Sequence, residues 1–242
     1  MNHKIFFKAV LPLLMLAVTT TSLHAQKQAV SIKFSCVIWK ALPFETVYYR
    51  QGEKYIPLKL SPGNRSELYE LKGTSALLIY TQEENEEGDI AYKLVAKSSI
   101  PAGMSQVLFF LTERSDPGEL PLRLSGIDDS LLSFPRGSCR FVNLTKNPLL
   151  VSFGGGKHMI KPKQMTVVKS KVSKKGGLLP FVVWDRSGKL YENRYNAHQI
   201  GRDMIFILPA TRPGGRVLVK MLPQLVAYTP TPEAKPADEE NN

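Results

Sequence analysis

The sequence predicts an all-β protein: two tandem antiparallel β-sandwich units of Ig-like type, placed after a cleaved signal peptide. Three observations carry that prediction. Helix signals are almost absent beyond residue 25, and short β-branched and aromatic runs alternate with turn residues, as the strands of sandwiches do. The pattern also recurs. Ser35-Cys36 returns as Ser138-Cys139, the Gly52 turn as Gly156, Lys54-Tyr55-Ile56 as His158-Met159-Ile160, and Leu78-Ile79-Tyr80-Thr81 as Val182-Val183-Trp184-Asp185, at offsets of 103 and then 104 residues.

Residues 1–25 read as an export signal. Lys4 and Lys8 form a basic start, Ala9 to Val18 an apolar stretch, and Leu23-His24-Ala25 a cleavage site. The apolar stretch is far shorter than the roughly 20 residues of a spanning helix, and no later run approaches that length. The expected product is therefore a periplasmic or extracellular protein with no transmembrane segment. Cleavage removes two lysines and no acids, which lowers the formal net charge from +11 to +9.

The first unit is expected over residues 26–114. Its candidate strands are 30–39, 46–50, 54–60, 75–81, 91–97 and 105–112, separated by Gln51-Gly52, Pro62-Gly63-Asn64, Glu87-Gly88-Asp89 and Pro101-Ala102-Gly103. Residues 115–134 form a joint in which Leu120, Leu122 and Leu124 alternate, the mark of one further strand. The second unit is expected over residues 135–225, with strands at 138–144, 149–153, 158–161, 165–172, 179–185, 190–195, 203–208 and 216–222. Residues 226–242, rich in Pro and acids and without an apolar run, read as a disordered tail.

Around the second cysteine the chain reads Phe134-Pro135-Arg136-Gly137-Ser138-Cys139-Arg140-Phe141-Val142-Asn143-Leu144-Thr145. This resembles a segment, roughly Phe-Pro-x-Gly-Ser-x-x-Phe-Val-Asn-Leu-Thr, of exported bacterial proteins of unknown function that carry tandem β-sandwich repeats. The resemblance covers a dozen residues. It implies a fold and a compartment, and brings no activity, cofactor or catalytic residue.

Catalytic patterns are missing. Once the signal is removed only His158 and His198 remain, with no Cys or carboxylate at a ligand spacing, so no metal or other cofactor is expected. No Gly-x-Ser-x-Gly elbow occurs. Gly154-Gly155-Gly156-Lys157 lacks the spacing of a phosphate loop and the helix that follows one, and reads as a hairpin turn. Glu83, Glu84, Glu86, Glu87 and Asp89 read as a solvated hairpin tip. Cys36 and Cys139 are the two cysteines; an oxidising compartment permits a disulfide between them, and the other reading is two small buried residues in strands.

The charge distribution says more. Residues 130–184 contain no Asp or Glu but ten basic residues, among them Lys163, Lys169, Lys171, Lys174 and Lys175. A two-residue period places Lys163, Met165, Val167, Lys169 and Lys171 on one strand face. Lysines on an edge strand also guard against edge-to-edge pairing, which is the structural reading. The functional reading is a non-enzymatic protein that binds or scaffolds at the cell envelope, its basic face meeting an anionic polymer, lipid headgroups or a protein partner. Export makes nucleic acid a poor partner. The alternatives are a carbohydrate-binding module using Trp39, Trp184 and exposed tyrosines, and an enzyme with an unrecognised site; Tyr80 and Trp184, at matching positions in the two copies, point first to core packing.

Overall fold

Ile32, Phe34, Cys36 and Ile38 alternate along the first strand with their side chains turned into one core. The computed structural model describes residues 31–85, 88–114, 116, 120–170, 177–198, 200–212 and 215–224, and among these there is no helix. The expected signal peptide (1–25) and tail (226–242) lie outside the described residues.

The first half supplies β1 (Ser31–Ile38), β2 (Val47–Gln51), β3 (Lys54–Leu58), β4 (Tyr69–Lys72), β5 (Ala76–Glu84), β6 (Ile90–Ser99), β7 (Gln106–Glu113) and β8 (Leu122–Asp128). The second supplies β9 (Ser138–Asn143), β10 (Leu149–Phe153), β11 (Gly156–Ile160), β12 (Met165–Lys169), β13 (Gly177–Asp185), β14 (Gly188–Ala197), β15 (Arg202–Leu208) and β16 (Leu218–Leu222). They form four four-stranded sheets: A, in the order β4-β1-β7-β8; B, β3-β2-β5-β6; C, β12-β9-β15-β16; and D, β11-β10-β13-β14. Each strand of the first half has its counterpart eight strands later, so the repetition read from the sequence is present as a repeated topology. The joint contributes β8, with Leu122 and Leu124 turned into the first core.

The expectation of purely antiparallel sheets needs correction. β1 pairs with β7, and β9 with β15, in parallel. No hairpin links either pair, because the chain passes through the opposite sheet between them, and a crossover of that length leaves parallel pairing open.

The residue-by-residue correspondence also shifts. Gly52 and Gly154 both sit at φ 61, which matches Gly52 with Gly154 in place of Gly156. Tyr55 pairs with Arg50 as Lys157 pairs with Ser152, so Tyr55 corresponds to Lys157 and not to Met159. The amide of Gly63 donates to the Ile38 carbonyl at 2.8 Å and that of Lys163 to the Asn143 carbonyl at 2.8 Å, which matches Ile38 with Asn143. Phe34 then corresponds to Cys139, and Cys36 to Phe141. The cysteines are not equivalent; a large and a small core residue have exchanged places along the strand. The correspondence at Tyr80 and Trp184 holds, since a register shift falls at Ile79/Tyr80 and again at Val183/Trp184.

Sheets A and B enclose one core and sheets C and D another. A third apolar layer joins the outer face of A (Val37, Trp39, Leu108, Phe110) to that of C (Val142, Met204, Phe206). Trp39 meets Phe206 edge-on at 5.1 Å between centroids, and the Lys220 ammonium lies over the indole at 5.1 Å. The layers thus stack B-A-C-D, with the central strands of the middle sheets, β1, β7, β9 and β15, covered on both faces.

A polar clamp sits in this junction. Asp129 is fully buried and accepts from Arg65 Nη1 at 2.7 Å, from Arg202 Nη2 at 3.1 Å and from Gln106 Nε2 at 3.3 Å. Arg65 belongs to the first half and Arg202 to β15, so one carboxylate ties the halves together. Removing it strands two buried guanidinium groups. Asp129→Ala is expected to cost about 3–5 kcal/mol in urea unfolding, and Asp129→Asn less, since one acceptor oxygen remains; a loss below about 1 kcal/mol for the alanine variant contradicts the clamp.

Candidate anion-binding edge

β11 and β12 are the terminal strands of sheets D and C on the same side of the second sandwich, and the turn between them places its lysines along that edge. Lys157 lies on β11, Lys161 and Lys163 in the turn, and Lys169 at the end of β12; all four are exposed, and none forms an ion pair among the described residues. Lys171, Lys174 and Lys175 lie outside the described residues. The lysines therefore wrap an edge, where the sequence period had put them on one strand face. Lys163 departs from that face because Pro162 begins a turn before β12 starts.

The equivalent edge of the first sandwich, β3 and β4, is neutralised. Lys59 pairs with Glu67 at 3.5 Å and Lys72 with Glu70 at 3.1 Å. In the second copy Lys161 matches Lys59, while Lys157, Lys163 and Lys169 stand where the first copy has Tyr55, Gly63 and Glu70, and residues 130–184 hold no carboxylate.

The turns at the two edges are superimposable in their bonding. Ser61-Pro62-Gly63-Asn64 closes with Asn64 N donating to Ser61 O at 3.1 Å, and Lys161-Pro162-Lys163-Gln164 closes with Gln164 N donating to Lys161 O at 3.1 Å. The third position demands positive φ, met by Gly63 at 76° and by Lys163 at 59°. Among the described residues Lys163 is the one non-glycine with positive φ. A side chain there costs roughly 1–2 kcal/mol, and strain retained where glycine would relieve it points to a use for the side chain.

Two of the ten basic residues leave the surface set. Arg140 is 3% exposed and donates to Asp128 O at 2.7 Å and to Ser133 O at 3.2 Å; burial pushes its guanidinium below the ordinary value. Arg136, half-buried, also has interactions of its own. The sequence shows only that no acid lies within residues 130–184; the backbone carbonyls that hold Arg140 come from the segment just before β9.

Cys36 and Cys139 are free thiols in different cores, so the disulfide allowed by the sequence is not formed. Burial pushes both up to about 12, far from a reactive thiolate. His158 lies on β11 and His198 outside the strands, and no group of His, Cys, Asp and Glu among the described residues is arranged to hold a metal. Gly154 and Gly155 form the β10–β11 hairpin turn at φ 61 and 80. At the β5–β6 tip, Glu83 and Glu84 are exposed and Glu83 pairs with Lys93; Glu86 and Glu87 lie outside the described residues.

The aromatics were misplaced. Tyr80 and Trp184 face outward and are half-buried: each follows an inward core residue, Ile79 or Val183, in the unbroken alternation of its own strand, and the extra residue at the register shift lies on the partner strand, Val95 on β6 and Leu190 on β14. Tyr80 pairs with Tyr48 across the outer face of sheet B, where Tyr55 and Tyr92 stack at 3.6 Å and Tyr48 and Tyr80 meet this pair edge-on. Tyr48 donates to Gln82 Oε1 at 2.9 Å, and Gln82 Nε2 to the Tyr92 hydroxyl at 2.9 Å. Tyr55 and Tyr92 had not been singled out from the sequence; alternation alone does not show which tyrosines meet across strands.

If positive φ at Lys163 is strain, Lys163→Gly raises stability by about 0.5–1 kcal/mol in urea unfolding, the αL penalty being partly offset by glycine entropy in the unfolded chain; a loss of stability contradicts this. The chain matches no protein-family model and no curated protein.

Proposed function

We propose that this is an exported, non-enzymatic protein of two Ig-like sandwiches that binds or scaffolds at the cell envelope. The edge formed by β11 and β12 neutralises phosphate or carboxylate groups of an anionic polymer or of lipid headgroups. One observation carries this reading: among the described residues the same edge is charge-paired in the first copy and without ion pairs in the second. The positive φ of Lys163 supports it, since a lysine kept for solubility alone would not need the strained position of a turn. Lys171, Lys174 and Lys175 continue the basic run in sequence without an intervening acid.

A second reading, stacking on sugar rings, is favoured by the tyrosine cluster of sheet B, where four half-buried rings surround Gln82. The two readings differ in their response to salt, because exposed charges are screened within about 10 Å at 0.1 M ionic strength and ring stacking is not.

Pull-down on envelope fractions across a salt series separates them. Retention is expected to fall steeply with ionic strength and to be lost on charge reversal of Lys163, Lys169, Lys171, Lys174 and Lys175. Retention that ignores salt and survives the reversal sinks the anion-binding reading. Salt-insensitive capture on neutral glycans, lost on Tyr92→Ala, would support the second.

A further inference from the structure

The loop between β8 and β9 is fixed by two buried arginines. Arg140 holds the carbonyls of Asp128 and Ser133, and Arg202 those of Asp129 and Phe134, the latter two at 2.8 and 3.0 Å. Within the loop, Phe134 N donates to Ser130 O at 2.9 Å and Ser133 N to Ser130 Oγ at 3.3 Å. Committing buried guanidinium groups to backbone carbonyls is a costly way to shape a connection. The part of the loop so held presents Leu131 and Leu132 to solvent, 46% and 93% exposed.

More apolar surface adjoins this loop. Val167 pairs with Arg140 and Met165 with Val142 across the β9–β12 ladder, so all four share the outer face of sheet C. Met165 and Val167 are 46% and 37% exposed. Lys169 follows Val167 by two residues on β12 and Lys163 stands in the turn just before Met165, so an exposed lysine with no ion pair among the described residues lies at each end of the exposed apolar pair.

We propose that this patch docks on an anionic lipid bilayer. Leu131, Leu132, Met165 and Val167 enter the interfacial region while Lys163 and Lys169 meet headgroup phosphates. The inference rests on the anion-binding reading above and selects its partner. A hydrated polymer offers an exposed leucine no apolar phase, whereas a bilayer accepts apolar and cationic groups together. A protein partner fits less well, since lysine is depleted at protein interfaces.

Flotation of the chain with phosphatidylcholine vesicles, with and without phosphatidylglycerol, tests it, using soluble polyphosphate as a control ligand. Binding is expected to the phosphatidylglycerol vesicles, with a fraction that persists at high salt. Lys163→Gln and Lys169→Gln each weaken it by roughly fivefold. Leu132→Ser weakens vesicle binding by roughly tenfold and leaves both polyphosphate binding and thermal stability unchanged, as its exposure requires. Polyphosphate binding without vesicle binding, or vesicle binding indifferent to Leu132→Ser, overturns the lipid inference and leaves the anion-binding reading standing. Loss of a dimer on Leu132→Ser, seen by analytical ultracentrifugation, overturns it in favour of self-association. Binding to neither probe overturns both readings.

Discussion

Asp129 meets an arginine from each half of the chain where water does not reach, and the junction around it decides what every other surface can do. A buried carboxylate between Arg65 and Arg202 is tolerated because Arg65 meets it with both Nη atoms, Gln106 adds a third donor, and Arg202 is oriented by other bonds, through the carbonyls of Asp129 and Phe134 and through Gln224 Oε1 at 2.9 Å. Apolar packing between sheets A and C supplies the dry surroundings, and the clamp fixes how the two faces register. The cost appears in the sequence as strands without a solvent side: all six residues of β9 are buried. Binding surface is left to the outer sheets B and D, to the edges, and to the loop that carries Asp129.

Duplication gave each half the same set of surfaces, and the halves have diverged on them. The first copy keeps glutamates beside its edge lysines and collects tyrosines on its outer sheet. The second drops the carboxylates, places Leu150 opposite Trp184 on its outer sheet, and accepts a lysine where the first has Gly63. These differences fall on surfaces that the stack leaves open, while the core-facing positions stay apolar in both.

Much of the architecture was legible in the sequence, because turn residues mark the strand ends and alternation marks their faces. Leu122 and Leu124 announced β8. β4 was missed because Tyr69-Glu70-Leu71-Lys72 is only four residues long with charges at alternate positions, which reads as a loop. The faces of Tyr80 and Trp184 are hidden in the sequence because each closes an apolar run, Leu77-Leu78-Ile79 and Phe181-Val182-Val183, in which both strand faces carry apolar side chains and alternation gives no signal. The burial of Arg140 is not legible for a different reason: which sheet faces another unit is a property of the assembled stack, not of any segment. The candidate edge was half legible, since the acid-free stretch is visible in the sequence but the pairing of its counterpart in the first copy requires the fold.

Scanning calorimetry of the chain tests the single-body account most directly. If the middle sheets and the Asp129 clamp bind the sandwiches into one cooperative structure, heating gives a single transition whose calorimetric and van't Hoff enthalpies agree. Two separated transitions, one for each sandwich, would contradict it.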